Sequence, residues 1–213
     1  GASRPLLVGD MPFGSYQAST TDAIHNAVRL LKEAGMDAVK LEGGMEVVDT
    51  VRALTANGIA VMAHVGLTPQ RASQLGGMKV QAKTADAARR LVADAVALEE
   101  AGAFAIVLEA VPAQVAALVT ERLSIPTIGI GAGVKCDGQV LVVHDALGLS
   151  GAFKPKFAKR FVDLGPVIVE ALRAYDAEVR AGTFPDEEHS FHMSERELAS
   201  LERSDTRATP KAV

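Results

Sequence analysis

Tryptophan is absent from this chain, and aromatic residues make up only 4% of it. The core must therefore be aliphatic, built from Ala, Val, Leu and Ile. Cysteine is nearly missing as well. With Cys136 alone, an internal disulfide and a Cys-based zinc site are excluded, and a reducing compartment fits. No apolar run of about 18 residues occurs, so no membrane-spanning helix is expected. Positive charge is not in excess: 22 Lys and Arg face 26 Asp and Glu, a net charge of −4. That balance argues against a nucleic-acid or anionic-membrane partner. The opening stretch GASRPLLVGD lacks a signal-peptide layout. The cytoplasm is the default expectation, with a transit peptide upstream as the alternative. What remains is ordinary globular material. Apolar residues are 48% and charged residues 23% of 213, which rules out wholesale disorder and suits one domain or two small ones.

Short apolar runs alternate with amphipathic segments. The runs are Pro5–Val8, Ala38–Leu41, Ala60–Val65, Phe104–Leu108, Thr127–Ile130 and Val140–Val143. Their continuous apolar character is that of strands buried on both faces, as in a parallel sheet. Between them lie helical patterns. Thr84–Ala101 puts Ala88, Leu91, Val92, Ala95 and Leu98 on one face. Pro112 opens a helix with Val115, Leu118 and Val119 as its apolar stripe, and Thr20 or Thr21 can cap another running to Ala34. Gly35, Gly58 and Gly102 each follow a helix and precede a strand, where a left-handed cap is needed. A helical stretch over Phe157–Arg180 is expected to be interrupted or kinked near Gly165-Pro166. Repeated strand–helix units imply parallel strands with right-handed crossovers. The choice lies between a (β/α)₈ barrel and an open doubly wound sheet. No glycine-rich dinucleotide turn follows the first strand, so the pattern favours the barrel.

In a barrel, chemistry sits at the C-terminal ends of strands. Those ends carry Asp10, Lys40 with Glu42, His64, Glu109, the Gly129–Gly133 loop, and His144 with Asp145. Singly, each has an ordinary structural reading: a helix cap, a rim ion pair, a hydrogen-bonded histidine. Glu109 resists that reading, because a carboxylate in the run Ala-Ile-Val-Leu-Glu is hard to desolvate unless it is paired or used. Asp10 and Glu42 are hard oxygen ligands that suit Mg²⁺. Lys40 and Glu42 share a strand face, so Lys40 can neutralise a bound anion. His64 can donate a hydrogen bond, and Glu109 is the candidate acid or base. Proton abstraction beside a metal-bound carbonyl is the chemistry this set suggests. The Gly129–Gly133 segment lacks the helix that a dinucleotide loop requires. A tight turn or a close backbone approach fits it better.

The segments Val8–Phe13, Val39–Gly44, Ala63–Gln70, Val107–Glu109 with Val111-Pro112, Ile125–Gly133 and Glu188–Phe191 resemble those of the ketopantoate hydroxymethyltransferase family, in the same order from Leu6 to Phe191. The resemblance implies a (β/α)₈ barrel of the phosphoenolpyruvate/pyruvate superfamily. It implies transfer of a one-carbon unit from 5,10-methylenetetrahydrofolate to the 2-oxo acid 3-methyl-2-oxobutanoate, giving 2-dehydropantoate. On this reading Asp10 and Glu42 belong to the Mg²⁺ site, Asp10, Lys40 and His64 contact the 2-oxo acid, and Glu109 is the proton acceptor. A homo-oligomer is also implied. The runner-up activity is a C–C or C–P lyase or mutase of the same superfamily, and the non-enzyme alternative is a truncated barrel that only binds or assembles.

Two departures from the family pattern stand out. Its first two β/α units have no counterpart in these residues, including an Asp-Ser pair that supplies a metal carboxylate and a substrate hydroxyl. Six strands rather than eight are then expected. Ala82-Lys83 stands where the family has Gly-Arg, which restricts the backbone and removes a bidentate fork. Residues 1–185 are read as the barrel domain and 186–213 as a C-terminal tail. Within the tail, 188–191 are expected to fold back onto the barrel or a neighbouring subunit and help shield the catalytic mouth, with Met193 onward mobile.

Overall fold

Aliphatic and β-branched runs form six strands that pair in chain order, each parallel to the next. They are β1 (Val8–Asp10), β2 (Ala38–Glu42), β3 (Val61–Gly66), β4 (Ala105–Glu109), β5 (Thr127–Ile130) and β6 (Gly138–Gln139). This computed structural model describes residues 4–74, 76–151 and 155–205. Helices α1 (Thr20–Ala34), α2 (Val48–Ala56), α3 (Ala85–Glu100) and α4 (Ala113–Arg122) connect the first five strands. A doubly wound sheet reverses its strand order at a switch point. Here the order never reverses, which is the winding of a barrel wall.

Strand residues divide between two faces with a period of two. Val39, Leu41, Val61, Ala63, Ile106 and Leu108 face outward and bury against Ala23, Ala27, Val51, Leu54 and Leu98 of the helices. Each fully buried leucine in that layer contributes about 1.5–3 kcal/mol of burial free energy. The other parity, which includes Lys40, Glu42, His64, Glu109 and Ile130, lines one cavity of about 510 Å³ on the inner face. One cavity reached from β1 to β5 requires a curled sheet. The molecule is thus a half-barrel of six strands with helices outside.

Local chemistry sets several boundaries. Ser19, rather than Thr20 or Thr21, caps α1, with its Oγ accepting from the Asp22 N–H at 3.0 Å. Thr84 caps α3 in the same way. Gly35, Gly58 and Gly102 take the expected positive φ, at 67°, 78° and 101°. Val140–Val143 is not a strand. β6 ends at Gln139, Val140, Val142 and Val143 are exposed, and α5 (Val143–Leu147) begins there. Asp137 holds this end of the sheet, accepting from the Thr127 N–H at 2.8 Å and its hydroxyl at 3.0 Å. In α4 the buried positions are Ala116 and Val119, while Leu118 faces solvent.

The C-terminal part differs more. Of the interruption or kink expected near Gly165-Pro166, the structure shows an interruption: the helix α6 (Leu164–Ala181) starts there, which suits proline in a first turn. It carries an exposed apolar stripe of Ile168, Leu172, Tyr175 and Val179. Phe184 packs edge-on against Tyr175 at 5.7 Å, and His189 tilts against Phe184 at 5.4 Å. Phe191 is fully exposed in the single chain. Beyond it lies α7 (Glu195–Asp205), where mobility was expected; residues 206–213 of that expectation lie outside the described residues. No helix among the described residues is long and apolar enough to cross a membrane.

Candidate active site

Parallel register aligns the polar strand ends laterally. Asp10 pairs with Lys40, Glu42 with His64, and Gly66 with Glu109. The result is one connected row across four strands. Lys40 Nζ lies 2.7 Å from Asp10 Oδ1 and 3.2 Å from His64 Nδ1. His64 Nε2 lies 3.0 Å from the Leu67 carbonyl and 3.2 Å from Glu109 Oε2.

The donor inventory fixes the histidine. An ammonium can only donate, so His64 Nδ1 accepts from Lys40 and the ring proton sits on Nε2. That N–H points at the Leu67 carbonyl and the Glu109 carboxylate. The ring is therefore neutral, and Glu42 Oε1 at 3.9 Å from Nδ1 is too far for a hydrogen bond. Lys40 uses two of its three protons on Asp10 and His64, which leaves one for a ligand in the cavity.

Glu42 is as buried as His64, with its side chain only 4% exposed. Its Oε2 accepts from the Gln70 N–H at 3.0 Å. Burial pushes its carboxyl above the usual carboxylate range, although the Gln70 N–H and the Lys40 ammonium pull the other way. The sequence reading missed its two supporters. The Tyr16 hydroxyl lies 3.2 Å from both the Glu42 carbonyl and its N–H, and donates to Gln70 Oε1 at 3.0 Å. Gln70 Nε2 in turn donates to the Met11 carbonyl at 2.8 Å. Tyr16 is one of only two tyrosines and is 2% exposed, so in an aromatic-poor chain it was the available signal. Burial also raises its phenol.

All five proposed side chains, Asp10, Lys40, Glu42, His64 and Glu109, line the same cavity. His144 and Asp145 do not join them. They lie on α5, and Asp145 Oδ1 instead accepts from Ser150 Oγ at 2.5 Å. The residue after Glu109, Ala110, has φ 46°, and its N–H donates to the Ile130 carbonyl. That left-handed residue turns the chain immediately after Glu109. Ala82 also lies in the left-handed region, at φ 54°, where glycine would carry no strain. A metal site formed by this chain alone would draw on Asp10 and Glu42. Among the described residues, no cluster of three or more His, Cys, Asp or Glu could hold an ion. Two carboxylates still suit Mg²⁺, which keeps waters and takes substrate oxygens. The desolvated Glu42 carboxylate is a group that a divalent cation would stabilise.

A curled parallel sheet that gathers a lysine, a histidine and carboxylates at its C-terminal strand ends has the architecture of a barrel-type enzyme. Residues 1–187 match the ketopantoate hydroxymethyltransferase family. A 3-methyl-2-oxobutanoate hydroxymethyltransferase of Heliobacterium modesticaldum is 59% identical over 92% of this chain and 71% of its own length. One of Ruegeria sp. is 60% identical over 90% of this chain and 68% of its own length. The chain belongs to the ketopantoate hydroxymethyltransferase family. A crystal structure of an isomerase from Streptomyces coelicolor A3(2) aligns with 58% of this chain and 32% of that one, at 18% identity and a TM-score of 0.41. It carries no weight in the assignment.

Proposed function

We propose that the protein transfers a hydroxymethyl group from 5,10-methylenetetrahydrofolate to 3-methyl-2-oxobutanoate, giving 2-dehydropantoate. The observation that carries the reading is the Asp10–Lys40–His64–Glu109 row, which sets an anion-binding cation and a carboxylate base in one cavity. The remaining Lys40 proton holds the 2-oxo acid. Glu109 takes the proton from C3, and the His64 Nε2–H positions that carboxylate. Mg²⁺, held by Asp10 and Glu42, would supply electrostatic stabilisation of the negative charge that develops on the keto oxygen. C3 then bonds to the methylene carbon. In the net reaction the C3–H bond and both methylene C–N bonds break. Water supplies the hydroxyl oxygen, and each folate nitrogen ends with one proton.

The six strands are read as part of an eight-stranded barrel, which their sequential parallel order supports. The homo-oligomer that the resemblance implies would cover the exposed apolar stripe of α6. A cytoplasmic location belongs to the same reading. The experiment is exchange at C3 of 3-methyl-2-oxobutanoate in D₂O, followed by NMR with Mg²⁺ and tetrahydrofolate present. Enzyme-dependent deuteration at C3 is expected. Binding of the 2-oxo acid without any exchange would overturn the reading.

A further inference from the structure

Glu109 lines not one cavity but two. The second, of about 310 Å³, has walls of Leu67, Met78, Val80 and Phe157, with Lys79 and Lys156 beside them. Its apolar side chains are open to the cavity or to solvent: Met78 and Val80 are about half exposed, and Phe157 is more than a third exposed. The segment carrying Met78 and Val80 is tied to the base's strand, because the Gln81 N–H donates to the Ala110 carbonyl at 2.9 Å.

Phe157 is held by the glycine loop after β5. A Cβ on Gly131 would fall 2.6 Å from Phe157 Cδ1, so the ring lies where only glycine permits it. Close approach, one of the two uses open to that loop in the sequence, is thus made by a phenyl ring. The ring faces a cavity that shares its wall with the base. Among the described residues, neither Lys79 nor Lys156 is in an ion pair.

We propose that this second cavity binds the ring system of the reduced folate donor, with Lys79 and Lys156 taking the carboxylates of its glutamyl tail. The inference rests on the reading under Proposed function. The donor's methylene carbon must meet the carbon that Glu109 deprotonates, so the donor and acceptor cavities both have to border Glu109. These two cavities do. A flat heteroaromatic ring favours aliphatic and phenyl walls, and a polyanionic tail favours unpaired cations nearby.

The test is isothermal titration of the protein with 5-formyltetrahydrofolate, a stable donor analogue, and separately with 3-methyl-2-oxobutanoate and Mg²⁺. Phe157→Ala should weaken the folate analogue about tenfold or more, as loss of an aromatic contact does. The surface double variant Lys79→Glu/Lys156→Glu should weaken it as well, and should flatten the dependence of its affinity on salt. Both variants should bind the 2-oxo acid as wild type does. If Phe157→Ala loses both ligands through misfolding, the lysine pair decides. Wild-type folate affinity in the lysine variant, with the wild-type salt dependence, would overturn the site and leave the proposed function standing. No folate binding by wild type that binds the 2-oxo acid would overturn both.

Discussion

Replacing Glu109 with glutamine removes the proposed base while keeping its place. Glutamine Oε1 can still accept from His64 Nε2–H, the contact that spans 3.2 Å in the parent. The side chain is 12% exposed, so little water is at hand to take over the proton. Loss of a positioned general base lowers turnover about 10²–10⁴-fold, and the dry setting places this variant in the upper half of that range. The range corresponds to about 3–5 kcal/mol in the barrier. Glu109→Asp keeps the charge but withdraws it by roughly one bond length, and about 10²-fold is expected. Steady-state assays should show kcat falling with KM for the 2-oxo acid unchanged, and C3 exchange in D₂O should fall in parallel. A Glu109→Gln enzyme that keeps turnover within about tenfold and still exchanges C3 hydrogen would refute the assignment.

Lys40→Ala should raise KM for the 2-oxo acid by about 10–100-fold, the weight of one charged hydrogen bond, with a smaller change in kcat. Asp10→Asn and Glu42→Gln should each raise the Mg²⁺ concentration needed for activity, read by metal titration. For Glu42 the folded carboxyl is raised by burial, so its ionisation destabilises the fold. That penalty is absent below the unfolded value and complete above the folded one. Metal-free Glu42→Gln should therefore gain melting temperature over the parent as pH rises from about 4 to about 8; a constant gap would contradict this. Glu99 is the reverse case. Ser124 Oγ and two backbone N–H groups donate to its Oε1 and hold its carboxyl low. Glu99→Gln should cost about 1 kcal/mol at neutral pH, and the difference should vanish in acid as wild-type Glu99 protonates. Gly66→Ala should destabilise by about 2 kcal/mol or more in denaturant titration, since φ is 93° and the new Cβ would meet the Glu109 carbonyl at 2.3 Å.

Much of this arrangement was legible before any coordinates. β2 and β4 read correctly because strands buried on both faces leave continuous apolar runs. The strand-end rule then gathered Asp10, Lys40, Glu42, His64 and Glu109, because parallel register brings such ends to one rim. The same rule failed at His144 and Asp145. Their strand was inferred from Val140–Val143, and a four-residue apolar run does not distinguish a strand from a chain entering a helix. Tyr16 was hidden for a different reason. Its partner Glu42 is 26 residues away, and no local pattern encodes a hydrogen bond of that span. The second cavity was out of reach as well, because only the folded chain brings Phe157 onto Gly131 and both beside Glu109.

The most direct measurement follows a labelled carbon. The protein is incubated with Mg²⁺, 3-methyl-2-oxobutanoate and 5,10-methylenetetrahydrofolate carrying ¹³C in its methylene bridge, and the products are read by NMR. The account expects the label in the new hydroxymethyl group of 2-dehydropantoate, formed together with tetrahydrofolate, and expects Glu109→Gln to abolish it. A protein that binds both substrates and leaves the label in the folate, or cleaves the 2-oxo acid instead, would contradict it.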